Sequence, residues 1–325
     1  MLNTKSKDDV IKKKKPFSFS ILDYSIYIVL AVLVIYFSLV SNVFLSPANI
    51  GNFFSQIPAV GILTLALTMI LITGCVDLSI ASNLAFSGTI AVMMASNGVP
   101  AIIVIIVTLI VGGGWGFING FFVTKFNLAP FILTLGTSYI IRGLILWLTN
   151  GVNVAGAPEW FFRLSNTRFL GGQISSNTIV FFILAFVFAF IMKKTRFGRY
   201  CYAIGTNKEA ARLSGIKTDW HVIQVYMVGG VMAAIAGILV MSNLNVGAPS
   251  EGVGTDLIAL ASAIIGGSRF GGGIGTIGGA VVGVFTIQVF SNGLAIMGVN
   301  TFLQGVVTGL IIVAAVTLDY FRTNK

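Results

Sequence analysis

The feature that most constrains this chain is a succession of apolar runs, several of which approach the roughly 20 residues that cross a bilayer as a helix. Such runs leave few solutions, because a backbone in hydrocarbon must satisfy its own hydrogen bonds as helices or as a closed barrel. A barrel would show short segments of alternating polarity, and these are absent. Composition closes the remaining escape. The 325 residues are 56% hydrophobic and only 9% charged, with a mean hydropathy of +0.96, whereas a soluble domain carries about a quarter charged residues. The expected fold class is an all-α polytopic membrane protein.

The basic residues set its orientation, since lysine and arginine are retained in cytoplasmic loops. Alternating spans predict ten helices: residues 24–44, 49–73, 78–96, 101–123, 129–149, 178–192, 220–243, 255–267, 272–290 and 301–316. With ten, both termini are cytoplasmic. The N-terminal lysines Lys12 to Lys15, Lys125, the basic stretch 193–219, Arg269 and the tail with Arg322 and Lys325 then all fall inside. Arg163 and Arg168 fall outside, and Arg142 sits near the outer end of its span. Deleting one span would reverse everything downstream. The spans at 78–96, 255–267 and 272–290 are short or glycine-rich and read equally as half-helices or re-entrant segments. The chain divides into a basic cytoplasmic tail (1–22), a transmembrane body (23–318) and a short cytoplasmic tail (319–325). The net charge of +10 follows from this bias, so nucleic acid is not an expected partner, although the N-terminal lysines suit anionic membrane lipid.

The stretch 193–219 reads KKTRFGRYCYAIGTNKEAARLSGIKTD. A short helix is expected over 207–216. Asn207 suits its N-cap, Lys208 to Leu213 are good helix formers, and Gly215 suits its end. Glu209 and Arg212, three apart, fall on one face. The outer segment 150–177, with Glu159, Trp160, Arg163 and Arg168, has room for a short surface helix and reads equally as a connecting loop or a docking site. The glycines between 266 and 283 serve either close helix packing or a broken helix beside a cavity.

No catalytic constellation is present. The single histidine, His221, stands at the start of a span. No phosphate-cradling GxxxxGK[ST] occurs. Cys75 and Cys201 both fall on the cytoplasmic side, where a disulfide is not expected, and no metal ligand set exists. Intramembrane charge is confined to Asp77, Arg142 and Asp256. A proton-coupled carrier needs more. Asp77 has a structural reading as a cap on the span at 78–96.

Several motifs then occur in a telling order. Gly74-Cys75-Val76-Asp77-Leu78-Ser79 resembles a family block Gly-Gly-Ile-Asp-Leu-Ser, departing at Cys75, and Ala81 replaces a further usual glycine. Asn119-Gly120 and Pro130 to Thr137 (PFILTLGT), Gly198-Arg199, Ala203-Ile204-Gly205, Asn207 to Ile216, Ile265 to Ser268, Gly271-Gly272, Gly275-Thr276 and Asn292-Gly293-Leu294 follow. Over residues 49–316 the chain resembles the integral-membrane permease subunit of bacterial ABC importers for simple sugars, of the ribose, xylose and galactose type.

The resemblance implies a multi-pass protein of the bacterial cytoplasmic (inner) membrane that catalyses no bond chemistry and holds no cofactor of its own. ATP is bound by a separate cytoplasmic ATPase subunit, which grips Asn207, Glu209, Ala210, Ala211, Arg212 and Gly215. A periplasmic or lipid-anchored sugar-binding protein docks outside, and a second permease subunit, identical or related, completes the path. Asp77, Asn83, Asn119 and Thr134 are candidate path residues for a neutral sugar. Branched-chain amino-acid or nucleoside ABC permeases are the near alternative, and a stand-alone secondary transporter is the alternative from another class. The topology predicts that Lys208→Cys, in intact cells, escapes an impermeant thiol reagent and is labelled only after the membrane is opened. Labelling from outside overturns the orientation.

Overall fold

The computed structural model describes residues 25–300, 302–310, 313 and 317. Among them are twelve α-helices: α1 (Ser25–Val40), α2 (Pro47–Ile72), α3 (Ile80–Ser96), α4 (Ala101–Lys125), α5 (Pro130–Thr149), α6 (Glu159–Asn166), α7 (Ser176–Lys194), α8 (Arg196–Thr206), α9 (Lys208–Leu213), α10 (Thr218–Leu244), α11 (Thr255–Ile265) and α12 (Ile277–Ile296). A two-stranded hairpin, β1 (Arg168–Phe169) with β2 (Ile174–Ser175), lies between α6 and α7. The two basic tails lie outside the described residues. Of the expected span 301–316, residues 302–310 are helical.

Among the described residues six helices are long and apolar enough to cross a membrane: α2, α4, α5, α7, α10 and α12. Three more are apolar but shorter, α1, α3 and α11. At 1.5 Å per residue α11 reaches only about 16 Å, half the ~30 Å hydrocarbon layer. The expected span at 272–290 is displaced towards the C-terminus. Gly272, Gly273 and Gly275 all have positive φ, so this part of the run is loop, and the helix starts only where Thr276 caps it by accepting from Gly279 N at 2.9 Å.

Two helices form the centre. The N-terminus of α2 is set by Ser46, whose hydroxyl accepts from Asn49 N, and by Pro47 in the first turn, where its missing N–H costs nothing. From Ile57 to Ile72 nearly every side chain is buried. Pro58 lies inside the helix and cannot donate to the carbonyl of Phe54. The start of α7 supplies the replacement: Thr178 Oγ1 donates to Phe54 O at 2.6 Å, and Asn177 Nδ2 to Ser55 O at 3.1 Å. A defect in one helix thus fixes the position of another.

The other central helix, α10, is buried over most of its 27 residues. Between lipid-bathed helices there is no hydrophobic drive, so close backbone approach has to supply the packing. A Cβ on Gly116 of α4 would lie 2.1 Å from Tyr226 O, and one on Gly237 would lie 2.3 Å from Leu84 O of α3. Gly266, Gly279 and Gly283 pack in the same way, with a Cβ on Gly279 falling 2.0 Å from Gly266 O. The outward faces of α1, α4, α5 and α7 carry exposed apolar side chains such as Ile35, Ile110, Ile132 and Phe186, as a lipid-facing perimeter requires. Gly116→Ala is expected to lower stability by about 1–3 kcal/mol through overpacking. The check is thermal unfolding of the purified protein in detergent, with Gly114→Ala, which meets nothing within 4 Å, as the unaffected control.

Candidate functional site

The polar stretch between α7 and α10 folds as two short helices, not one. Thr195 caps α8 by accepting from Gly198 N. A single residue, Asn207, separates α8 from α9 and caps the latter, its Oδ1 accepting from Ala210 N at 2.9 Å. The expected helix over 207–216 is therefore shorter than its sequence run. Its last residue is Leu213, and Gly215 turns the chain away at φ +85°, a conformation that disfavours any side chain.

Along α9, Asn207, Glu209, Ala210, Arg212 and Gly215 are exposed, while Ala211 is buried against the body. Arg212 Nη2 donates to Glu209 Oε1 at 2.7 Å, and Lys208 Nζ pairs with Asp219 Oδ1 at 2.8 Å. Both pairs are solvent-exposed, so each is worth at most about 1 kcal/mol. Their effect is geometric, the second one tying α9 to the start of α10. Beneath them Cys201 is fully buried, its Sγ 3.4 Å from His221 Nε2. Burial pushes this thiol up to about 12, so it stays protonated and inert at neutral pH.

The four candidate path residues are all buried, at 2% exposure or less. Three of them converge on the non-helical segment between α2 and α3. Ser79 donates to Asp77 Oδ1 from both its backbone N (2.8 Å) and its hydroxyl (2.6 Å), and Asn119 Nδ2 donates to Ser79 Oγ at 2.7 Å. Leu78 N donates to Thr134 Oγ1 at 3.1 Å, and Tyr226 Oη donates to Val76 O at 2.8 Å. Residues 76 to 79 are thus tethered to α4, α5 and α10. Asp77 is not the helix cap expected of it. The N-cap position of α3 is Ser79, and the carboxylate instead closes an Asx-type turn just before the helix. Asn83 stands apart, its Nδ2 donating to Gly112 O at 3.0 Å where α3 and α4 meet. Among the described residues no group of three or more His, Cys, Asp or Glu is placed to hold a metal ion.

At the opposite end of the molecule, α6 fills part of the segment 150–177. It is stitched to the other end of α10, with Ser165 Oγ donating to Leu239 O at 2.6 Å and Asn166 Nδ2 to Ser242 O at 3.0 Å. At 27 residues, α10 is about 40 Å long, so α6 and α9 occupy opposite ends of one rod.

Residues 49–316 match the family model described as branched-chain amino acid transport system / permease component. The chain belongs to this permease family. It is 37% identical to the ribose import permease protein RbsC of Bacillus subtilis, over 89% of this chain and 90% of that one. It is 36% identical to the D-allose transport system permease protein AlsC of Escherichia coli, over 94% and 95%. It is 32% identical to the L-arabinose ABC transporter permease protein AraH of Azospirillum brasilense, over 92% and 88%. No solved structure matches it.

In this permease one strongly exposed apolar side chain of α9 went unnoticed in the sequence: Leu213, at 80% exposure, with Trp220 half exposed close by in the chain. Leucine in a helix-forming run reads as core, and nothing in its immediate neighbours marks it as outward. Arg142 is used locally. Its Nη1 donates to the carbonyls of Pro249 (2.6 Å) and Glu251 (2.8 Å), holding the loop before α11. For the permease, Thr134→Val is expected to cost about 1–3 kcal/mol by stranding the buried Leu78 N–H, whereas Thr134→Ser retains stability. Thermal unfolding in detergent distinguishes them.

Proposed function

We propose that this permease forms the translocation path for a simple sugar in an ABC importer. The observation that carries the reading is that relatives named as permeases for ribose, allose and arabinose align with nearly the whole chain. The exposed helix α9 is then the part a partner can push on. On this reading α9 faces the cytoplasm, and an ATPase subunit that binds the ATP grips it through Glu209, Ala210, Arg212 and Leu213, with Asn207 and Gly215 setting its two ends. Ala211 is its seat on the body.

The finer assignments follow the same logic. Ten spans with both termini inside put every strongly basic stretch in the cytoplasm. A second permease copy or a close relative faces this one across the path. A sugar-binding protein docks on the outer side, where α6 and the hairpin after it lie. Asp77, Asn119 and Thr134 brace the wall of the path by fixing the α2–α3 connection, and Asn83 does so at the α3–α4 contact. A neutral sugar suits a wall so poor in charge, since it needs hydrogen bonds and no counter-ion.

The test is uptake of labelled ribose, allose and arabinose by proteoliposomes holding the permease with its ATPase and binding protein. Uptake of at least one is expected to require both partners and ATP. Uptake by this chain alone, driven by a proton or sodium gradient, overturns the reading in favour of a secondary transporter. Leu213→Asp is expected to weaken ATPase binding roughly tenfold or more, as for an anchor at an interface centre. Glu209 and Gly215 replaced together are expected to abolish ATP-driven uptake with membrane insertion intact. Normal uptake by that double variant removes α9 from the mechanism.

A further inference from the structure

Immediately before α9, three segments meet with backbone against backbone at Gly205. Gly273 N donates to Ile72 O at 2.9 Å, joining the loop between α11 and α12 to the end of α2. Helix α8 lies directly on that hydrogen bond. A Cβ on Gly205 would stand 1.8 Å from Ile72 O and 2.4 Å from Gly273 N. The loop approaches from its own side, since a Cβ on Gly272 would lie 2.9 Å from Gly205 O, and one on Gly273 would lie 2.7 Å from Thr206 Oγ1. One turn earlier, Tyr202 Oη donates to Gly275 O at 2.9 Å. Tyr202, Gly205 and Thr206, at i, i+3 and i+4, form one face of α8, and the whole of that face is spent on this contact.

The three bodies differ in what surrounds them. The end of α2 is buried in the centre and cannot shift without disturbing the packing around it. The α11–α12 pair is joined to α8 through the glycine loop, and its two helices lock together at Gly266 and Gly279. Only Asn207 separates α8 from α9. A displacement of α9 would press α8 on the Ile72 carbonyl as a fulcrum and pass to the loop, and so towards α11 and α12, through the Tyr202 bond to Gly275 and the contact at Gly205. At Gly205 the contact is backbone against backbone, with no compliant side chain to absorb a displacement.

We infer that Gly205 is the positioning residue of a transmission joint, and that the α11–α12 pair is the body the joint moves. This rests on the reading of α9 as the helix gripped by an ATPase. The experiment uses the permease assembled with its ATPase in lipid vesicles, spin-labelled at Ile274→Cys in a Cys75→Ala background. Ile274 is 45% exposed in the glycine loop, and Cys201 is buried. Binding of a non-hydrolysable ATP analogue is expected to change the label's spectrum in the otherwise unaltered chain. Gly205→Ala is expected to abolish that change with the ATPase still bound, and to lower sugar imported per ATP hydrolysed roughly tenfold. Tyr202→Phe, which removes only the bond to Gly275, is expected to weaken both effects. A merely structural glycine would lower abundance and ATPase binding, not the ratio of import to hydrolysis. An unchanged spectral response and ratio in Gly205→Ala overturn the joint. If Gly205→Ala fails to assemble, Tyr202→Phe decides, and a normal ratio there overturns it too. A silent label in the unaltered complex sinks the joint and leaves the gripped helix standing, whereas an unaltered permease that does not bind the ATPase sinks both.

Discussion

Contact between bare helix backbones is the constraint on which this structure depends. In water a helix pair is held by removing apolar surface from solvent, but lipid tails are as apolar as leucine and offer no such gain. What remains is dispersion and weak polar contact at short range, which grow as backbones approach. Helix α10 shows the consequence. It meets α4 at Gly116 and α3 at Gly237, at separations that exclude a methyl group. With those two crossings fixed, the positions of α3 and α4 follow, and so does the tethered connection between α2 and α3.

The polar side chains in the interior answer a related need. Each break in a helix strands backbone groups that water cannot reach, and an unpaired group there is costly. The break after α2 is met by Tyr226, Thr134 and the Asp77–Ser79–Asn119 set, and the gap left by Pro58 by Thr178. These residues look functional in the sequence because polar groups in apolar runs are rare. Their geometry shows a prior duty to the backbone, since each bonds a main-chain group or a side chain that does.

This divides what was legible in the sequence from what was not. The apolar runs gave α2, α4, α5 and α10 to within a few residues, because length and hydropathy are properties of one helix alone. The start of α12 was misplaced by five residues, since Gly272 and Gly273 belong to either a helix or a loop until the neighbour they touch is known. Helix α8 was missed for a similar reason. Its sequence, RFGRYCYAIGT, has two glycines and several aromatic residues of middling helix propensity, and its helicity is fixed by the face it lays on α2 and the glycine loop. Asn207 and Gly215 were readable as the ends of α9 because capping is a local matter. The exposure of Leu213 was not, because exposure is a statement about everything else.

On the proposed reading, in which an ATPase subunit grips α9, the same division bears on how a motor outside the membrane works a path inside it. Helix α9 is six residues long and held by one exposed ion pair to α10 and one buried alanine, so by itself it is a weak handle. Its neighbour α8 is held much more firmly, through the Tyr202 bond and the contact at Gly205. A handle that is soft where the partner grips and stiff where it meets the body adapts to the partner's surface without losing stroke. In the proposed joint, rigidity concentrated at Gly205 and Gly273 also fixes the direction of movement, because a helix pressed on a carbonyl fulcrum rocks more readily than it slides. On this reading the sugar's passage depends less on the few buried polar groups than on whether that rocking opens a path at all.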